Sequence, residues 1–133
     1  MVECQLPKLD VAGSSPVSRS ITNKTPSLPT QAREMIRDPE NTVFVSAVSL
    51  WEIWLKQSLG KLRLPVDFTE RLAAESFESL PLTASHTRQV SLLAWCHRDP
   101  FDRMLVAQAQ VEKLVLLTAD EPLAAYGPVV HVA

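Results

Sequence analysis

The chain has 133 residues and a formal net charge of −2, and 46% of its residues are hydrophobic and 21% charged. These values fit one globular domain with a substantial core, and no apolar run approaches the roughly 20 residues that span a membrane. The N-terminus lacks the pattern of a secretory signal, and two cysteines are too few for a disulfide framework. We therefore expect a cytoplasmic protein without a global basic field.

Residues 1–24 differ in composition from the rest of the chain. Proline, serine and threonine recur there, and no apolar period is sustained. Such a composition is typical of loops or disorder. We therefore expect an aberrant, disordered segment over 1–24 and one organised domain over 25–133.

The organised part alternates short apolar strands with amphipathic helices. The predicted helices are 31–37, 47–59, 68–75, 84–95, 99–112 and 122–126, and the predicted strands are 43–46, 79–82, 114–117 and 129–132. Pro81 cannot donate to a ladder, so its strand is expected at a sheet edge. The alternation predicts an α/β fold of three layers, in which helices flank a mostly parallel sheet.

Four acids stand where strands or loops pass into helices. They are Glu52, Asp99, Asp102 and Asp120. Parallel strands gather their carboxyl ends along one edge of a sheet, where ligands bind, so we expect these acids to meet. Clustered carboxylates repel each other unless a cation neutralises them, and hard oxygen ligands suit Mg²⁺ or Mn²⁺.

Each acid also has a purely structural interpretation. Ser49-Leu-Trp-Glu52 matches a capping box, which we weigh evenly against a site role. Asp99 precedes a proline and suits an N-cap, while Asp102 in the first turn favours the helix dipole. Taken alone, Asp99 and Asp102 are explained better by capping than by catalysis. Asp120 could also be a helix cap. The recurrence of acids at three junctions favours a functional site.

Other polar and aromatic residues carry weaker signals. The three histidines are scattered, and a surface or hydrogen-bonding role is favoured over a ligand role for each. The tryptophans are expected in the core or at a partner interface. Lys56 belongs to one small basic cluster and Arg103 to another, which suffices for a local nucleic-acid groove. Taken singly, each of these charges is more simply a solvated surface group.

Four motifs follow one another in a familiar order. They are Val43-Phe-Val-Ser-Ala-Val-Ser-Leu-Trp-Glu-Ile, Gly60-Lys-Leu-Arg-Leu-Pro, His97-Arg-Asp-Pro-Phe-Asp-Arg-Met-Leu-Val-Ala-Gln-Ala and Leu117-Thr-Ala-Asp. Over residues 25–133 this series resembles a PIN domain, in particular the VapC-like toxin ribonucleases of type II toxin–antitoxin modules.

The resemblance implies an endoribonuclease that depends on Mg²⁺ or Mn²⁺. The residues implied are the metal-binding acids Glu52, Asp102 and Asp120, the auxiliary catalytic acid Asp99, the supporting Ser46 and Thr118, and the RNA-contacting Lys56 and Arg103. The implied partners are an RNA substrate, a cognate antitoxin and a second copy in a homodimer, with no role for a membrane.

The N-terminus departs from the family pattern. PIN-domain toxins begin with an apolar strand that ends in a metal-binding Asp, and the nearest candidate here is Asp10. Pro7 makes residues 5–9 a poor central strand, so we expect the first strand to be missing or poorly formed. Gly13-Ser-Ser-Pro-Val can be back-translated into a sequence close to the T-arm of a tRNA gene. Our hypothesis is that residues 1 to about 22 are read through from such a gene.

Two alternative functions remain open beside the active toxin. An inactive, N-terminally truncated remnant would at most bind an antitoxin. A phosphoryl-accepting α/β signalling domain would also cluster acids at strand ends, but the predicted strand at 79–82 is followed by Thr83-Ala-Ser with no Asp, so this class ranks low.

Overall fold

The structure is a computed structural model that describes residues 10–12 as backbone and residues 30–132 in full. Most of the segment 1–24, including Pro7 and the stretch attributed to a tRNA gene, lies outside the described residues. The expectations about its disorder and origin therefore stay predictions.

The described residues form strands and helices in alternation, as predicted. The strands are β1 (Asp10–Ala12), β2 (Phe44–Ser46), β3 (Glu78–Leu80), β4 (Val115–Thr118) and β5 (Val130–Val132). The helices are α1 (Thr30–Arg37), α2 (Ala47–Ser58), α3 (Phe68–Ala74), α4 (Ala84–Leu92) and α5 (Pro100–Glu112), followed by a 3-10 helix (Glu121–Val129). No described helix is long and apolar enough to cross a lipid bilayer.

The five strands form one sheet in the order β3-β2-β1-β4-β5, and every pair of neighbours is parallel. The predicted α/β class and the edge position of β3 are thereby confirmed. The strand β3 ends at Leu80, immediately before the proline that cannot donate to a ladder.

The expectation that the central first strand is missing or poorly formed is wrong for the described backbone. Residues 10–12 form β1, in which Val11 pairs with Phe44 on one side and with Leu116 on the other. The strand begins after the proline that argued against it, so that proline removes no ladder donor from it. A strand placed between two neighbours gains hydrogen bonds on both sides, which local propensity does not count. The Asp10 side chain lies outside the described atoms.

Helices cover both faces of the sheet and give three layers. In β4, successive side chains point to opposite faces, so Leu116 joins Leu105 and Tyr126 in the main core, while Leu117 packs with Ala32 of α1. All four β4 residues are buried, as its unbroken apolar run predicts. Burying each large aliphatic side chain contributes about 1.5–3 kcal/mol, so this packing holds the strand ends in place.

Candidate metal centre

The strand β2 passes into α2 without a loop, and this junction places Glu52. Ser46 ends the strand in an extended conformation, and its Oγ accepts a hydrogen bond from the Val48 N–H at 3.0 Å, so Ser46 is the N-cap of α2. Ser49 therefore lies within the helix, and the capping box expected between Ser49 and Glu52 is not formed. Glu52 lies in the second turn and is only 7% exposed.

The N-terminus of α5 carries the next two acids. The Asp99 carboxylate accepts hydrogen bonds from the Phe101 N–H at 2.8 Å and the Asp102 N–H at 3.3 Å, which confirms the predicted N-cap. Capping holds Asp102 in the first turn, where it is 8% exposed. Asp99 is therefore a helix cap that also places a negative charge near Asp102.

Asp102 is the electrostatic centre of the cluster. Burial is the largest cause that raises its pKa to about 7, and the negative charges of Asp99, Glu52 and Asp120 contribute to the same rise, against a lowering by His97. The fold therefore brings the other three predicted acids within interaction range of Asp102. Such a carboxyl is poorly stabilised as an anion by the protein alone.

Asp120 follows β4 and reaches the same cluster. Its backbone N–H donates to the Thr118 Oγ1 at 3.1 Å, and Thr118 is buried. Asp120 precedes the 3-10 helix, but its side chain makes no capping hydrogen bond. The carboxylate of Asp120 is therefore free of the structural role that the sequence allowed for it.

His97 is a member of this site that the sequence analysis did not select. Its Nε2 lies 3.2 Å from Asp120 Oδ2 and 3.9 Å from Asp102 Oδ2. One ligand atom from each of these three residues lies within 4.8 Å of the others, a spacing that a metal ion can bridge. A lone histidine in a loop gives little signal, and its position two residues before Asp99 is the only feature that pointed to it.

Lys56 neighbours the site through an ion pair. Its Nζ lies 2.9 Å from Glu52 Oε2, one helical turn along α2, and its side chain is half exposed. The ammonium thus sits at the boundary between the buried acid and solvent. Its expected contact with RNA stays a prediction.

Arg103 is placed differently from the expectation of an RNA contact. It is 4% exposed, and its guanidinium donates to the Ala94 and Val90 carbonyls and to the Tyr126 hydroxyl at 2.9, 3.2 and 3.0 Å. The exposed ring of Trp95 covers it at 3.8 Å. Because its donors are used inside the protein, Arg103 is a structural residue that holds the segment before α5 in place.

Ser46 is also linked to a polar residue that the sequence analysis missed. Its Oγ donates to Gln108 Oε1, and Gln108 is fully buried in α5. The Gln108 amide nitrogen lies 3.4 Å from the Pro81 carbonyl. Gln108 therefore joins the N-cap of the Glu52 helix to the helix that carries Asp102. No local pattern distinguishes such a residue from a surface glutamine.

Comparison with known proteins identifies the family to which this chain belongs. The PIN domain family matches residues 21–127, which is more than half of the chain. The chain belongs to the PIN domain family. No curated protein is significantly similar to this PIN domain in sequence.

Solved structures share the fold of this PIN domain at low sequence identity. A toxin–antitoxin complex from Klebsiella pneumoniae has 14% identity and a TM-score of 0.64, covering 92% of this chain and 96% of that one. VapBC2 from Rickettsia felis, bound to a promoter DNA fragment, has 17% identity and a TM-score of 0.66, covering 94% and 97%. DNA-bound VapBC from Salmonella typhimurium has 15% identity and a TM-score of 0.66, covering 95% and 97%.

Proposed function

We propose that this PIN domain is a metal-dependent endoribonuclease toxin of a toxin–antitoxin module. It would hydrolyse RNA phosphodiester bonds at the cluster of Glu52, Asp99, Asp102 and Asp120. The observation that carries the proposal is Asp102, a buried carboxyl beside three other acids. A cluster that destabilises the Asp102 anion is suited to a cation, because bound positive charge relieves both the repulsion and the burial cost at that carboxyl.

The side chains present fit a hard divalent cation. Glu52, Asp102 and Asp120 would hold Mg²⁺ or Mn²⁺, since carboxylate oxygens are the ligands these ions prefer. The ion, when bound, supplies Lewis-acid polarisation of a phosphate oxygen and lowers the pKa of a bound water. Asp102 must be ionised to act as a ligand, so its proton has to leave when the cation enters.

Other residues of the chain keep these ligands in position. Ser46 caps α2 and so fixes the helix that carries Glu52. The Thr118 Oγ1 accepts a hydrogen bond from the Asp120 N–H and so fixes the turn after β4. Lys56 neutralises one side of Glu52 and leaves half of its own side chain open to solvent, where an RNA phosphate would be attracted to it.

The proposed partners follow from the PIN family and from the similar structures. Those structures are named as a toxin–antitoxin complex and as VapBC assemblies, which supports a cognate antitoxin as partner of this chain. We further propose a homodimer and an RNA substrate in the cytoplasm.

A cleavage assay on the full 133-residue chain tests the proposal. RNA is incubated with the wild type in Mg²⁺, in Mn²⁺ and in EDTA, and size exclusion checks that each protein is folded. Glu52→Gln and Asp102→Asn remove site charges with little change in shape. Asp38→Asn makes the same chemical change at an exposed acid, where an asparagine can still accept the Glu40 N–H.

We expect cleavage by the wild type and by Asp38→Asn in either metal, and none in EDTA or with the two site variants. The alternative function, an inactive toxin remnant that at most binds an antitoxin, predicts no cleavage in any metal, from a folded or an unfolded chain. Cleavage that persists in Glu52→Gln and Asp102→Asn would place the active site elsewhere.

A further inference from the structure

The imidazole of His97 lies beside two carboxyls of the site, those of Asp102 and Asp120. Its Nε2 lies 3.2 Å from Asp120 Oδ2 and 3.9 Å from Asp102 Oδ2. Distances alone allow two opposite roles. The nitrogen can be a third ligand for a cation, or its N–H can be a donor that serves the carboxylates in place of a cation.

The other ring nitrogen distinguishes these roles. The backbone N–H of Asp99 donates to His97 Nδ1 at 3.1 Å. A neutral imidazole has one donor and one acceptor nitrogen, so an accepting Nδ1 places the hydrogen on Nε2. The Nε2 lone pair is then not available to a metal, and the N–H faces the carboxylates instead.

The backbone on both sides of His97 is held in place. The Asp99 backbone is anchored because its carboxylate caps α5. The segment before His97 is anchored because Arg103 donates to the Val90 and Ala94 carbonyls. The imidazole is itself only 18% exposed. The donor is therefore built into the site rather than placed there by a mobile surface chain.

We propose that His97 is not a metal ligand but an internal donor whose Nε2–H competes with a cation for the carboxylate of Asp120. His97 is then a positioning residue that lowers the metal affinity of the site. This inference rests on the proposed function, because it assumes that the acids bind a cation.

The variant His97→Asn separates the two roles. The asparagine Oδ1 replaces Nδ1 as acceptor for the Asp99 N–H, while no group remains at the position of Nε2. Isothermal titration of Mn²⁺ into the metal-free wild type and into the variant gives the two affinities. The variant has no donor that competes with the cation for Asp120, so we expect Mn²⁺ to bind it on the order of tenfold more tightly, which is about 1.4 kcal/mol.

A second measurement needs no variant. Nitrogen-15 spectra of the metal-free wild type report which nitrogen of His97 carries the hydrogen, and titration with diamagnetic Mg²⁺ follows it during binding. We expect a protonated Nε2 before and after metal loading, with a changed environment of the ring. A metal-loaded protein with the hydrogen on Nδ1 and none on Nε2 would leave the Nε2 lone pair for the ion and overturn the inference.

The outcomes also separate this inference from the proposed function. Weaker or unchanged Mn²⁺ binding in His97→Asn, with clear binding by the wild type, overturns the role of His97 alone. If neither folded protein binds Mn²⁺, the proposed metal site is wrong, and the proposed competition between His97 and a cation is wrong with it.

Discussion

Replacing Asp102 by asparagine is expected to stabilise the metal-free protein while abolishing metal binding. The pKa of Asp102 rises from 3.8 to about 7 in the folded protein. The folded state therefore keeps a proton that the unfolded chain releases at lower pH, so this group favours folding below pH 3.8 and loses that contribution as the pH rises to about 7. At pH 8 the ionised Asp102 opposes folding by up to about 4 kcal/mol, since each pKa unit corresponds to about 1.36 kcal/mol.

Asparagine has nearly the same shape and carries no charge, so the substitution removes this cost. We expect the melting temperature in EDTA at pH 8 to rise by roughly 10 °C, because a domain of this size gains several degrees per kcal/mol. The gain should shrink toward pH 5, where the wild-type carboxyl is already protonated in the folded state. Thermal unfolding followed by circular dichroism between pH 5 and pH 8 measures both effects.

The control is Asp38→Asn, which changes an exposed acid and is expected to shift the melting temperature by little at any pH. A melting temperature of Asp102→Asn no higher than that of the wild type at pH 8 in EDTA would contradict the prediction. A rise in melting temperature that does not depend on pH would also contradict it, because a constant rise would come from packing rather than from the charge.

Three further predictions concern the site and its supports. Mn²⁺ affinity should weaken as the pH falls below about 7, because Asp102 must lose its proton to bind the ion; calorimetry at pH 6 and pH 8 measures this, and an affinity independent of pH would contradict it. Arg103→Lys should lower the free energy of unfolding by about 1–3 kcal/mol, because an ammonium cannot replace the planar fork of buried donors; urea unfolding tests it, with the exposed Arg71→Lys as a near-neutral control. Gln108→Leu should cost a similar 1–3 kcal/mol, because the Ser46 hydroxyl loses its acceptor in a buried site; a stability equal to the wild type would show that leucine packing compensates.

The fold was largely predictable because its signals are local. Alternating apolar strands and amphipathic helices predict a parallel α/β sheet, and Pro81 places β3 at the edge. The first strand was missed because only the local effect of Pro7 on the backbone was considered. Pro7 disfavours a strand at its own position, whereas β1 lies just beyond it and is stabilised by two neighbours that no short window contains.

The site was predictable only in part, for a related reason. Acids that follow predicted strands can be placed close together from the sequence alone, because a parallel sheet brings the ends of its strands to one edge. His97 and Arg103 depend on the path of the segment before α5, which topology does not determine. The sequence favoured a surface or hydrogen-bonding role for His97 and an RNA contact for Arg103. In the structure His97 lies beside the acids and Arg103 is buried. Both are held by backbone groups of other residues.

The first turn of α5 shows why capping and function are not competing explanations for an acid. Asp99 uses its carboxylate to cap the helix and its N–H to orient His97. The cap fixes Asp102 near the helix N-terminus, where the dipole favours its anion, but burial and three neighbouring acids outweigh that help and leave the pKa near 7. A favourable place in the first turn of the helix does not by itself account for this cost. The cost is understandable if a cation removes it, since a ligand that binds the folded state alone stabilises that state by mass action.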